Sequence, residues 1–159
     1  MTDRSRIGLK TAPTTVPVDA WRVKLFCEAT GETDAVYWNA EAARAAGHPA
    51  CPVPPTFLKA IEGEHFSSAQ LMNLLDVPLR GVLHAEQAFE HFAPVHVGDS
   101  VEVSRTVTDI HDKKAGAFTF IVVDTHYRVG GTPVATSRQT ILVRNVVNAV
   151  NAVNAPQPS

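Results

Sequence analysis

Residues 48–55 read HPACPVPP, four prolines in eight positions. Each proline lacks a backbone N–H and fixes φ, so this stretch can be neither helix interior nor central strand. It predicts a stiff, extended connection between two helical segments. On its N-terminal side, Pro17 predicts a helix start, because the N–H it lacks would be orphaned there anyway, and Gly31 predicts its end in a left-handed cap. Trp21, Leu25 and Glu28, then Val23, Phe26 and Cys27, make that segment loosely amphipathic. AEAARAA, from Ala40 to Ala46, predicts a second short helix stopped by Gly47. On the C-terminal side, TFLKAIEGEHF predicts a helix with Thr56 as N-cap and Phe57, Leu58 and Ile61 as its buried stripe. SSAQLMNLLD adds a further short piece of helix.

From Gly81 onward the period changes to two. Val101, Val103 and Val107 alternate with Glu102, Ser104, Thr106 and Thr108, as in a strand buried on one face. AFTFIVVDTHYRV is apolar on both faces in its middle, which predicts a central strand with something packed on each side. VATSRQTILVR is the last strand, and Pro94 with Gly98 and Asp99, Lys113 to Gly116, and Gly130 with Gly131 supply turns. Helices followed by an antiparallel meander define an α+β fold class, one domain over residues 1–145. Residues 146–159, with their Val-Asn-Ala repeats, predict a flexible low-complexity tail.

Composition narrows the function classes. Lys and Arg total 14 against 16 Asp and Glu, and the basic residues are scattered, which argues against a nucleic-acid binder. No apolar run approaches the length of a signal peptide core or a membrane span. Cys27 and Cys51 form no C-x-x-C pair and are too few for a disulfide framework, so a reducing, cytoplasmic setting is expected. Dinucleotide, Walker, nucleophile-elbow and zinc-protease motifs are absent, and the histidine spacings match no metal site, so no cofactor and no metal are expected. Cys51, beside the proline turn, has no His or Asp at a telling distance for thiol chemistry.

The segment GETDAVYWNAEAARAAGHPACPVPPTFL resembles the MaoC-like (R)-specific enoyl-thioester hydratases and 3-hydroxyacyl dehydratases, in particular their FAS1-like dehydratase branch. In that family a turn of the form G-D-x-N-P-x-H carries a catalytic Asp and His, followed by a short helix, a Gly and the start of a long helix. Here the turn runs from Gly31 to Tyr37, with Glu32 at the Asp position, Asp34 at the Asn position and Tyr37 at the His position. LHAEQAFEHFAPVHVGDSVEVSRTVTDI and GTPVATSRQTILVR resemble the family's strands and last hairpin, so the likeness extends over about Val16 to Arg144.

The resemblance implies a hot-dog fold, a long central helix wrapped by a curved antiparallel sheet, usually paired with a second hot dog through the sheet edges. It implies an acyl-CoA or acyl-carrier-protein thioester as ligand, lying beside the helix, with a backbone N–H of Thr56 or Phe57 facing the thioester carbonyl. It also puts the catalytic turn in question. An imidazole near pKa 6.5 serves as acid or base at neutral pH, whereas a phenol near 10 is a poor base. Glu32 adds a methylene, and a displacement of about 1 Å can cost on the order of 10²-fold in rate. The expectation is a hydratase-family subunit with a silent or degenerate turn, in a heterodimer whose MaoC-like partner retains the Asp and His. His84 is an alternative base if its strand faces the ligand tunnel. The alternatives are packing of Tyr37, Trp38 and Asn39 at the mouth of the fold with Glu32 as a solvated loop acid, a non-catalytic acyl-thioester-binding homodimer, and a thioesterase using Glu32 or Asp34 to activate water.

Overall fold

A computed structural model describes residues 3–145; the predicted tail lies outside them. Among the described residues the strands and α-helices run in the order β1 (Thr14–Pro17), α1 (Ala20–Thr30), α2 (Ala40–Ala45), α3 (Leu58–His65), α4 (Ser68–Leu74), β2 (Val82–His91), β3 (Ser100–Lys113), β4 (Phe118–Val129) and β5 (Thr132–Arg144). The strands form one five-stranded sheet in the order β1-β3-β4-β5-β2, every neighbouring pair antiparallel. Helix α3 packs on β1 and β3 and reaches across the sheet to β4 and β5 through Glu62. The fold is therefore α+β, with a helix wrapped by an antiparallel sheet.

The helical half corrects three local expectations. Pro17 ends β1 opposite Ser100 instead of opening a helix, and α1 starts at Ala20. An edge strand tolerates a proline whose missing N–H would face away from the ladder. Thr56 is not an N-cap: the chain enters α3 through a 3-10 turn, Pro55–Phe57, because Pro55 is already preset to helical φ. The amphipathic split expected in α1 is kept, with Val23 and Cys27 buried and Phe26 half-buried against exposed Trp21, Leu25 and Glu28. The expected long helix is also two short ones. Phe66 turns extended at φ −155°, and Ser67 with Gln70 makes a reciprocal capping box that starts α4 afresh.

The strand half keeps the predicted strands but not the predicted meander, because β2 pairs with β5 instead of its chain neighbour β3 and so forms the far edge of the sheet. β4 lies between β3 and β5, with Thr119, Ile121, Val123, Thr125 and Tyr127 buried on one face. On its other face Phe118, Phe120 and Val122 are half-buried. Gly98, Gly130 and Gly131 all take positive φ in the turns that join these strands.

The core is divided. One apolar cluster joins Val16, Val23, Phe57, Leu58, Ile61, Val101 and Val103. A second joins Leu71, Met72, Leu75, Val107, Ile110, Ile121, Val123, Ile141 and Val143. Between them runs a polar row: Arg105 opposes Thr125 across β3 and β4, and Thr125 opposes Ser137 across β4 and β5. Above this row stands Glu62 of α3, 1% exposed. Its Oε2 accepts from Thr125, Tyr127 and Ser137 hydroxyls at 3.2, 3.0 and 3.2 Å. Its Oε1 lies 2.5 Å from Lys59 Nζ and 3.2 Å from Arg105 Nη2. Burial pushes the Glu62 carboxyl up, but Arg105, Lys59 and the Tyr127 hydroxyl outweigh it and hold it below the ordinary range. Arg105 also donates to Gln139 Oε1 at 2.8 Å and to the Phe66 carbonyl at 3.0 Å, which ties the end of α3 to the sheet.

Candidate active site

The turn after α1 is built from local hydrogen bonds. Gly31 sits at φ 71°, and Glu32 N–H reaches back to the Cys27 carbonyl at 2.9 Å, closing the helix end. Glu32 Oε1 then accepts from the Thr33 and Asp34 N–H groups at 2.8 and 2.9 Å. Asp34 Oδ1 accepts from Val36 N–H at 3.0 Å and opens the 3-10 turn Ala35–Tyr37. Asn39 Oδ1 caps α2 through Glu41 and Ala42 N–H. Each of these side chains is occupied by its own neighbourhood.

Tyr37 leaves this turn half-buried against the first core cluster. Burial pushes its phenol pKa up, and the negative Glu32 and Asp34 push it further. At neutral pH it is therefore a proton donor and not a base.

The Tyr37 ring lines a cavity of about 260 Å³ together with His48, Pro55, Leu58, His91 and Val95. The proline connection forms one wall, fastened by Val53 N–H to the Val95 carbonyl and Val97 N–H to the Cys51 carbonyl, both at 2.8 Å. A second cavity of about 410 Å³ shares Tyr37 and is flanked by Trp21, Lys24, Trp38 and Arg44. Beside the first cavity, His48 Nδ1 lies 3.3 Å from His96 Nε2. Asp99 accepts from the His96 N–H at 2.8 Å and stands 4.0 Å from His96 Nδ1.

The residues singled out from sequence thus divide. Glu32, Asp34 and Tyr37 share one turn, and Pro55 brings the start of α3 to the same cavity. Phe57 is buried, and its N–H is already taken by the Pro54 carbonyl at 2.9 Å. Thr56 is exposed, and its N–H has no partner among the described residues. His84 does not face the cavity. It is exposed on the edge strand β2, where Nε2 meets the Glu86 carbonyl at 3.0 Å beside a register shift. His91, at the other end of β2, is the residue that lines the cavity, and the rise of a strand separates the two by roughly 23 Å.

Sequence reasoning passed over His48, His91 and His96 as an assembly. Their spacing carries no periodic signal, and only the strap of backbone bonds that lays the proline connection along Val95 and Val97 brings His48 to His96. Arg105 was passed over too, although it occupies an inward position in the alternation Val101, Val103, Val107. A charge in that register signals a buried partner.

Among the described residues no group of three or more His, Cys, Asp or Glu is arranged to hold a metal ion. None of their helices is long and apolar enough to cross a membrane. Cys27 and Cys51 are free and buried.

Comparison with known proteins places this geometry. The C-terminally truncated HadBC (3R)-hydroxyacyl-ACP dehydratase complex of Mycobacterium tuberculosis superposes with a TM-score of 0.76 at 19% identity, covering 86% of this chain and 96% of that one. The ChsH1-ChsH2 complex of the same organism gives 0.70 at 23% identity, covering 86% and 84%. Both likenesses establish the hot-dog fold. A UPF0336 protein of Saccharopolyspora erythraea is 32% identical over 145 residues, 89% of this chain and 91% of that protein. Since the model of the FAS1-like, dehydratase domain region matches residues 5–137, the chain belongs to that family of hot-dog dehydratase domains.

Proposed function

We propose that this chain is a subunit of a 3-hydroxyacyl-thioester dehydratase or enoyl-thioester hydratase, acting on a CoA or carrier-protein thioester in the cytoplasm. Its own turn is degenerate, and a MaoC-like partner chain with an intact Asp and His supplies most of the catalysis. The observation that carries this reading is the state of the turn. The Glu32 carboxylate is folded onto Thr33 and Asp34 N–H, and a phenol with a raised pKa stands where the family has an imidazole. Loss of a positioned acid or base typically costs about 10² to 10⁴-fold.

Two observations support a partner. β2 is a ten-residue edge strand with one unpaired side, and Leu83 and Phe92 at its two ends are 51% and 53% exposed. An edge of that length is commonly covered by another chain. Both structural neighbours named above are themselves two-component complexes. The aromatic and basic walls of the second cavity, Trp21, Trp38, Lys24 and Arg44, suit a nucleotide-bearing carrier such as CoA.

The test is crotonyl-CoA hydration by the purified chain, by a MaoC-like chain with the intact turn, and by the two mixed. Slow turnover alone, a mixture well above the sum of its parts, and a one-to-one complex in sedimentation are expected. Equal rates for the isolated chain and the mixture would refute the subunit reading. Release of free CoA would instead identify a thioesterase.

A further inference from the structure

We propose that His48 is a catalytic residue of this chain, the acid and base of the cavity it shares with Tyr37, and that His96 and Asp99 are its positioning residues. The inference rests on the reading of the chain as a hydratase-family subunit, but it moves the chain's own chemistry off the turn after Gly31.

Three observations carry it. His48 lines the cavity beside Tyr37 and the start of α3, where a thioester would lie. The ring is half-buried, and its Nδ1 is turned toward His96 Nε2 at 3.3 Å. Behind His96, the Asp99 carboxylate lies 4.0 Å from Nδ1 and is itself anchored by the His96 N–H. With its proton on Nδ1, on the side of the carboxylate, His96 offers Nε2 as acceptor for His48 Nδ1–H. His48 Nε2 then carries the free lone pair, and it has no other partner among the described residues. A carboxylate orienting one ring so that another presents its basic nitrogen is the logic of hydrolase triads, extended by one imidazole.

The step balances on water alone. His48 Nε2 takes a proton from water as the oxygen bonds to the β-carbon of the enoyl thioester. The π pair moves through the α-carbon onto the thioester oxygen, forming an enolate. The α-carbon then takes the proton from His48, so that one H and one OH have been added and the imidazole is neutral again. Tyr37, held protonated, is placed to donate a hydrogen bond to a ligand in the cavity.

The experiment measures crotonyl-CoA hydration by the isolated full chain and its variants. His48→Gln should lower the rate by about 10²-fold or more. His96→Gln should cause a smaller loss, confined to kcat with KM unchanged. In case His48→Gln misfolds, His48→Ala is assayed with added imidazole, which should restore turnover through the vacated space. No hydration by the isolated wild-type chain, or a rate lost on His91→Gln but not on His48→Gln, overturns the assignment. The subunit reading fails separately, if an intact MaoC-like partner gives no stimulation.

Discussion

Glu32 and Glu62 are the same residue in two settings, and nothing in their sequence surroundings announces how differently they are used. Glu32 accepts from the next two backbone N–H groups and belongs to its own loop. Glu62 accepts from hydroxyls 63, 65 and 75 positions away and faces Arg105 across the core. The first carboxylate is held by local structure and gives little to the rest of the molecule. The second is held by tertiary structure alone and joins the central helix to three strands. A buried ion pair is weak evidence for net stability, but removing one partner leaves the other charge uncompensated. The contrast therefore predicts where this domain is fragile.

The largest effect should come from breaking the buried side of that contrast. Arg105→Met is expected to cost about 3–5 kcal/mol in urea unfolding, because Glu62 keeps only Lys59 as a charged neighbour. Adding Glu62→Leu should recover much of the loss, since both charges then leave together. If Arg105→Met unfolds at the wild-type urea midpoint, the polar row does not join helix to sheet as argued.

Next in size is repair of the exposed side. Tyr37→His combined with Glu32→Asp should raise crotonyl-CoA hydration by about 10²-fold, while either change alone does little. The repaired pair would act on one water, so the two changes should be strongly non-additive. A full gain from Tyr37→His alone would show that the carboxylate is dispensable.

A pH series separates the two glutamates more finely. The folded pKa of Glu62 is lowered, so its contribution is complete above its unfolded value, about 4.3, and fades as pH falls through the folded value. The stability gap between wild type and Glu62→Gln should be wide at pH 7 and close in acid. A gap that stays constant down to pH 2 would mean that folding does not lower the Glu62 pKa.

The smallest effect belongs to Glu32→Ala, about 0.5–1.5 kcal/mol for the loss of two exposed local hydrogen bonds. A larger loss, read by the same urea titration, would place Glu32 in the core's network after all.

The ease with which the fold could be read follows the same division. Gly31, Gly47, Gly98 and Gly130 mark real turns because positive φ is a property of one residue and its neighbours. Phe57, Leu58 and Ile61 are buried as the helical period predicts, and Val101, Val103 and Val107 as the strand period predicts. Pro17 and Thr56 misled because a proline suits an edge strand as well as a helix start, and because Pro55 begins the helical turn before Thr56 is reached. In the site, Glu32, Asp34 and Tyr37 were within reach, as they lie on one short turn. His84 was misplaced because strand periodicity says which face a residue shares, but not which end of the strand meets the cavity.

By itself, then, the sequence determined the helices between Pro17 and Gly81, the strands after Gly81 and the turns between them, all of which depend on interactions within a few residues. Only the tertiary structure decided that Arg105, Thr125 and Ser137 form one row beneath Glu62, and that His48 meets His96 behind the cavity. The physical reason is that strand register and the seating of the proline connection bring together groups tens of residues apart. A charge or an imidazole takes its role from the partner it meets there.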